Sequence, residues 1–158
     1  MVDASLSQKE LIRRLTVDRS VRGLDLSGGN FTGADLSEVD FSGCNLGVAK
    51  AEDGRLYPTR FDNVDLRGAR FFGVNAPDAI FRGADLRNSY FGGAILFGTS
   101  FVGADLRGAN LLEARFGMTN FMDARFDRST KLIESDLDGC MGPSGKLVRR
   151  FRLSDFGV

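Results

Sequence analysis

Residues Phe81 to Phe101 read FRGADLRNSYFGGAILFGTSF. Phe81, Leu86, Phe91, Leu96 and Phe101 stand at every fifth position, with Ala79, Ala84 and Ala94 two residues before a large one and Gly83 and Gly93 two residues after. The same spacing extends both ways. It covers Leu26, Phe31, Leu36, Phe41 and Leu46 towards the N-terminus, resumes at Phe61, Leu66 and Phe71, and continues through Leu106, Leu111, Phe116, Phe121 and Phe126. A period of five suits neither common element. On an α-helix a five-residue step advances about 140°, which winds the apolar residues around every side. On a straight strand they would alternate between faces. A chain that turns a corner about every five residues sends each large side chain towards one axis, with the small partner also inward and Gly at the turn, where positive φ is tolerated.

Four corners close a square, so one coil takes 20 residues, and the sequence bears this spacing out. Leu26, Leu46, Leu66, Leu86 and Leu106 fall in one column, ending in Phe126; Phe41, Phe61, Phe81, Phe101 and Phe121 fall in another. The register survives the less regular stretch between Leu46 and Phe61, with Ala51 and Leu56 at inward positions, so the coil is expected to continue with a bulge at Glu52-Asp53-Gly54. Ala76, before Pro77, is expected to be a thin spot in the core. Successive coils pair as parallel strands about 4.8 Å apart, giving about five to six coils and a prism roughly 25–28 Å long.

Solenoid ends need caps. Ser7 and Glu10 have capping-box spacing, Leu6 and Leu11 have staple spacing, and Leu11, Ile12 and Leu15 offer an apolar face to the first coil. At the other end the phase slips by one residue near Ser129-Thr130, continues through Leu132 and Leu137 and dissolves at Gly142-Pro143. The basic segment from Lys146 to Leu153 then covers the last coil or forms an oligomer contact. The expected division is 1–22 as N-terminal helix and cap, 23–139 as all-β solenoid, and 140–158 as C-terminal cap or contact segment.

The units Gly33-Ala34-Asp35-Leu36-Ser37, Gly83-Ala84-Asp85-Leu86-Arg87 and Gly103-Ala104-Asp105-Leu106-Arg107 resemble the A-(D/N)-L-x-x signature of the pentapeptide-repeat family, over residues 24 to about 139. The resemblance implies a right-handed quadrilateral parallel β-helix without enzymatic activity for most members. It also brings a branch that binds DNA gyrase or topoisomerase IV, some of whose members mimic duplex DNA. Such a mimic is strongly acidic, whereas here Lys plus Arg, 21, equals Asp plus Glu, 21, and the C-terminal segment is basic.

Composition narrows the remaining classes. The neutral balance argues against direct nucleic-acid binding or an anionic membrane surface. No run of 18 or more apolar residues is present, and the N-terminal stretch lacks a signal-peptide core, so a cytoplasmic protein is expected. Basic residues are mostly Arg, in keeping with a GC-rich bacterial gene. With no His, the usual general base and the commonest metal ligand are missing. Cys44 falls at a small inward position, while Cys140 lies where exposure is open and has no visible base or ligand companion. Asn30-Phe31-Thr32 matches a glycosylation sequon but occupies ordinary repeat positions, and no phosphate-binding loop occurs. Neither catalytic residues nor a cofactor or metal site is expected.

Function is therefore expected on the outward positions. Asp25, Asp65, Asp85 and Asp105, with Asn45 in series, form an acidic column, and Arg67, Arg87 and Arg107 form a basic column two residues on. One reading makes this a charged binding face. The other has Asp or Asn bonding the turn backbone, with Arg neutralising carboxylates stacked about 4.8 Å apart. A second group is apolar where the repeat expects polar residues. Tyr57, Pro77 and Phe97 share a column with Ile95 beside them, Phe72 and Leu112 lie on the adjacent face, and Ile80, Val102 and Met122 lie on the next. These positions mark an expected protein interface. The partner is another protein: a second copy of the chain or, in the alternative reading, a type II topoisomerase.

Overall fold

The computed structural model describes residues 11, 13–132, 137, 139–147 and 153–157. Its core is a quadrilateral β-helix. Parallel backbone pairs join residues one coil apart in an unbroken series, from Ser20 with Asp40 through Asp65 with Asp85 to Asp105 with Arg125. The ladder is seen well at Leu86. Its N–H donates to Asp105 O at 2.9 Å, the Asp85 N–H to Val64 O at 3.0 Å, and the Asn88 N–H to Arg107 O at 3.1 Å, while the Ser89 N–H closes the corner on Leu86 O at 3.1 Å. Nearly every backbone group of a five-residue side is thus paired upward, downward or across its own corner, as a buried backbone requires.

Four faces result. The first carries Leu26, Leu46, Leu66, Leu86 and Leu106 inward; the second Phe31, Ala51, Phe71, Phe91 and Leu111; the third Leu36, Leu56, Ala76, Leu96 and Phe116; the fourth Phe41, Phe61, Phe81, Phe101 and Phe121. All of these are buried in one core with the small residues that precede them.

From Gly28 to Asp123 the residue two after each inward one takes the left-handed conformation, Pro58 excepted, with φ 64° at Gly83 and 58° at Asn88. Along a corner, five non-glycine residues in this conformation are followed one coil later by glycine: Val48 by Gly68, Asp53 by Gly73, Asn63 by Gly83, Asp78 by Gly98 and Asn88 by Gly108. The reason is steric. A Cβ on Gly73 would lie 2.6 Å from Asp53 Oδ1, because each corner side chain lies back over the next corner.

The stretch Glu52-Asp53-Gly54 does not bulge. Asp53 makes an ordinary left-handed corner, and Lys50 and Arg55 pair in register with Arg70 and Asn75. The local irregularity is at Pro58, whose ring holds φ negative and which has no N–H for the ladder. There the Glu38 N–H reaches Pro58 O at 2.9 Å, one residue beyond the acceptor used at neighbouring corners, such as Gly28 to Gly47.

The register slips near Ser129-Thr130 as the spacing foretold: Asn110 pairs with Lys131 and Asn120 with Met141. The slip carries Cys140 to an inward position, so the exposure left open for it is corrected to full burial, with Sγ 3.4 Å from Phe116 O. The coil also runs on where it was expected to dissolve, since Gly142 is buried and Asp123 N–H donates to Pro143 O at 3.0 Å.

At the N-terminal end a single π-helical turn, Arg14–Asp18, follows Leu11; Leu15 is buried and Leu11 packs partly against the core. The capping box of Ser7 and Glu10, Leu6 and Ile12 lie outside the described residues. At the C-terminal end Leu147 pairs antiparallel with Met141, and the short 3-10 helix Leu153–Phe156 sets Phe156 on Phe126 and Phe121, at ring-centroid distances of 5.1 and 5.8 Å. The rest of the segment 148–152 lies outside the described residues.

Candidate interaction faces

Apart from Asn75, which precedes Pro77, the outward Asp or Asn before the inward residue accepts a hydrogen bond from the backbone N–H two residues on, as in Asp25 with Ser27 at 3.1 Å and Asn120 with Met122 at 2.9 Å. This local bond pre-forms the turn and accounts for the residue type. On the first face it is joined by an ion pair. Arg67, Arg87 and Arg107 each turn back on Asp65, Asp85 and Asp105, with Nη2 to Oδ2 at 2.6 Å in all three rows. Arg67 also approaches Asp85 at 3.7 Å and Arg125 approaches Asp105 at 3.6 Å, so the pairs are linked between coils. The Arg67 side chain, then backbone and Coulombic contributions, hold the Asp65 carboxyl below the usual range despite some burial, and Arg107 does the same for Asp105. The six charged residues therefore come together as three zwitterionic rows, where a bare acidic stripe would need the carboxylates unmatched.

The apolar set divides. Tyr57 and Phe72 are 52% and 59% exposed and Met122 is exposed, whereas Pro77, Phe97, Val102 and Leu112 are half-buried. Phe97 is partly used within the molecule: its ring occupies the space a Cβ on Gly117 would take, and the Arg115 guanidinium lies over it at 5.1 Å. The second face holds a feature that spacing alone missed. Phe72 lies across Gly92, whose Cβ would be 3.3 Å from the ring. Tyr90, 49% exposed, stands beside them. Phe72, Tyr90, Leu112, Asn110 and Glu113 then rim a solvent-open groove of about 210 Å³ floored by Gly92 and Gly93. Met118 and Val48 are further exposed apolar corner residues.

Cys44 is buried, with Sγ 2.8 Å from Val21 O, and burial pushes its thiol pKa up, the reverse of an activated nucleophile. Among the described residues no cluster of three or more His, Cys, Asp or Glu side chains could hold a metal ion, and no helix is long and apolar enough to cross a membrane.

Five-residue sides, left-handed corners and a filled core leave chemistry only on flat outer faces, which defines a quadrilateral β-helix of the repeat-solenoid class. The chain belongs to the pentapeptide-repeat family: a profile described as Pentapeptide repeats matches in 8 copies over residues 21–47, 65–101 and 90–128. Among solved structures it is similar to a pentapeptide repeat protein (Rfr23) from the cyanobacterium Cyanothece 51142, with TM-score 0.69 and 21% identity over 79% of this chain and 99% of that one. This likeness shows the common fold. More distant similarity extends to HetL, a pentapeptide repeat protein involved in heterocyst differentiation regulation from Nostoc sp. strain PCC 7120, with TM-score 0.42 and 16% identity over 91% and 100% of the two chains. Full-length QnrB1, a plasmid-mediated fluoroquinolone resistance protein, is similar at TM-score 0.43 and 18% identity over 77% and 83%. No curated protein sequence matches the chain.

Proposed function

We propose that this protein is a non-catalytic binding scaffold that presents its flat faces to another protein, a second copy included, in the cytoplasm of a bacterium. Tyr57, Phe72 and Tyr90 carry the reading: three large rings, each about half exposed, stand on a backbone held rigid by its hydrogen-bond ladder. Exposed aromatic clusters on a pre-organised surface are the usual anchors of protein interfaces. Pro77 and Phe97 extend the surface beside Tyr57 on the third face and Leu112 beside Phe72 on the second, while Val102 and Met122 stand on the fourth face. The family's members are generally structural or binding scaffolds, which accords with this role. The finer architecture belongs to the same reading: about five to six right-handed coils over 23–139, an N-terminal helical cap within 1–22, and a C-terminal capping or contact segment over 140–158.

The alternative, a duplex mimic engaging a type II topoisomerase through Asp65, Asp85 and Asp105, has less support, because each carboxylate is matched by its own Arg. One experiment separates the two. A partner cross-linked by wild-type protein in host extract is expected to be lost with the Phe72→Ser/Tyr90→Ser variant while the melting temperature holds. The same variant would retain any inhibition of gyrase supercoiling. Undiminished cross-linking by the variant would exclude the aromatic surface. Inhibition abolished by Asp65→Ala/Asp85→Ala/Asp105→Ala would bring the mimic forward.

A further inference from the structure

The first face has an arrangement that single ion pairs do not explain. Three successive coils each place one acid and one base side by side: Asp65 with Arg67, Asp85 with Arg87 and Asp105 with Arg107. A row of one negative and one positive charge is self-complementary under one symmetry operation only. A two-fold axis along the solenoid turns each row end for end and lays it on its own copy, so Asp meets Arg in every row. An axis across the solenoid lays the Asp column on the Asp column. Two identical ladders also share one pitch, so rows that match once match along the whole face. The two N-terminal rows, Asp25 with Ser27 and Asn45 with Gly47, bring no like charges together in the first arrangement.

We propose that two copies of this chain associate through the first face with their solenoid axes parallel. The pairing within a row leaves capacity for it. Arg87 spends Nε and Nη2 on Asp85, at 2.8 and 2.6 Å, which leaves the Nη1 edge for a carboxylate of the second copy. The side chains of Arg67, Arg87 and Arg107 are 58%, 41% and 36% exposed, so the groups are within reach. Desolvation offsets much of the Coulombic gain, so the charges act chiefly on direction, register and salt dependence. This face is separate from the aromatic surface, and the pairing stands or falls independently of it.

Sedimentation velocity on three proteins tests the proposal. Wild type is expected to dimerise at about 50 mM salt, with its association constant at least about tenfold weaker at 500 mM. Asp65→Asn/Asp85→Asn/Asp105→Asn and Arg67→Glu/Arg87→Glu/Arg107→Glu are both expected to be monomeric, since one removes the acid and the other the base from each of the three rows. An Asn side-chain oxygen, like the retained Asp, still accepts the turn N–H, and equal melting temperatures check that both fold. Mixed together, the two variants are expected to form a heterodimer. Monomeric wild type at low salt, self-association of the Glu variant, or failure of the mixture would each overturn the pairing. Direction is read with Ser27→Cys and a short bismaleimide, both native thiols being buried. Parallel copies cross-link at this end of the face; a dimer that does not cross-link would overturn the parallel axis.

Discussion

The second and fourth faces are built from the same repeat, yet only one has a continuous core column. On the fourth, Phe41, Phe61, Phe81, Phe101 and Phe121 stack with centroid distances of 5.1, 4.7, 5.1 and 5.3 Å and planes within 8° of parallel. On the second, the column runs Phe31, Ala51, Phe71, Phe91 and Leu111, and Phe71 and Phe91 alone stack, at 4.7 Å. At Ala51 the interruption leaves an apolar cavity of about 10 Å³ among Phe31, Leu46, Phe61, Leu66 and Phe71. The pitch is set by the backbone ladder, so a coil short of side-chain volume cannot settle onto its neighbours. In a layered fold each coil must fill its own square, and a deficit stays where it arises.

Removing a ring from the continuous column should have the largest effect. Phe81 stacks on Phe61 and Phe101 and meets Phe71 and Phe91 edge-on at 5.9 and 5.6 Å. Phe81→Ala is expected to cost about 3–5 kcal/mol in urea unfolding, because the fixed pitch prevents collapse into the space. A loss below about 1 kcal/mol would mean that the coils do settle after all. Filling the interrupted column should act in the opposite direction and more weakly. Ala51→Leu adds buried carbon worth up to about 2 kcal/mol, less the strain of fitting it, for a net gain near 1 kcal/mol. A lower melting temperature would show the cavity to be the wrong shape.

That cavity also marks how far the sequence could be read. Period five, the 20-residue coil, the inward columns and the late slip were all legible, because each is a spacing and a solenoid turns spacing directly into position. The thin spot was placed at Ala76, but Ala76 lies between Phe71 and Phe81, whose rings meet at 5.9 Å and fill the centre. Ala51 lies between Leu46 and Leu56, in a coil with one Phe where its neighbours have two. Comparing residue volumes coil by coil would have found it. Other features are not carried by spacing. Tyr90 shares a column with Arg70 and Asn110, and its groove depends on Phe72 lying back across Gly92, a side-chain direction. The Asp and Arg columns were visible, whereas the bidentate return of each Arg onto its own row needed coordinates.

The smallest expected effect compares the faces at the small inward positions. On the fourth face, Thr59 and Thr99 hydroxyls donate to Leu36 O and Ala76 O, at 2.8 and 2.9 Å, tying a corner to the coil before it. On the second face, Ser89 Oγ is buried and has no hydrogen-bond partner, alone among the described residues. A satisfied hydroxyl contributes about 1 kcal/mol, while an orphaned one costs its desolvation and returns nothing. Thr99→Val should therefore lose about 1 kcal/mol or less, since Ala76 O keeps the Ala79 N–H at 3.4 Å and is not itself orphaned. Ser89→Ala should be neutral or gain up to about 1 kcal/mol. The informative quantity is the difference in sign, measured by paired urea titrations. A loss at Ser89 matching that at Thr99 would mean that Ser89 finds a partner by rotating its hydroxyl in solution. The two faces would then differ in ring stacking alone.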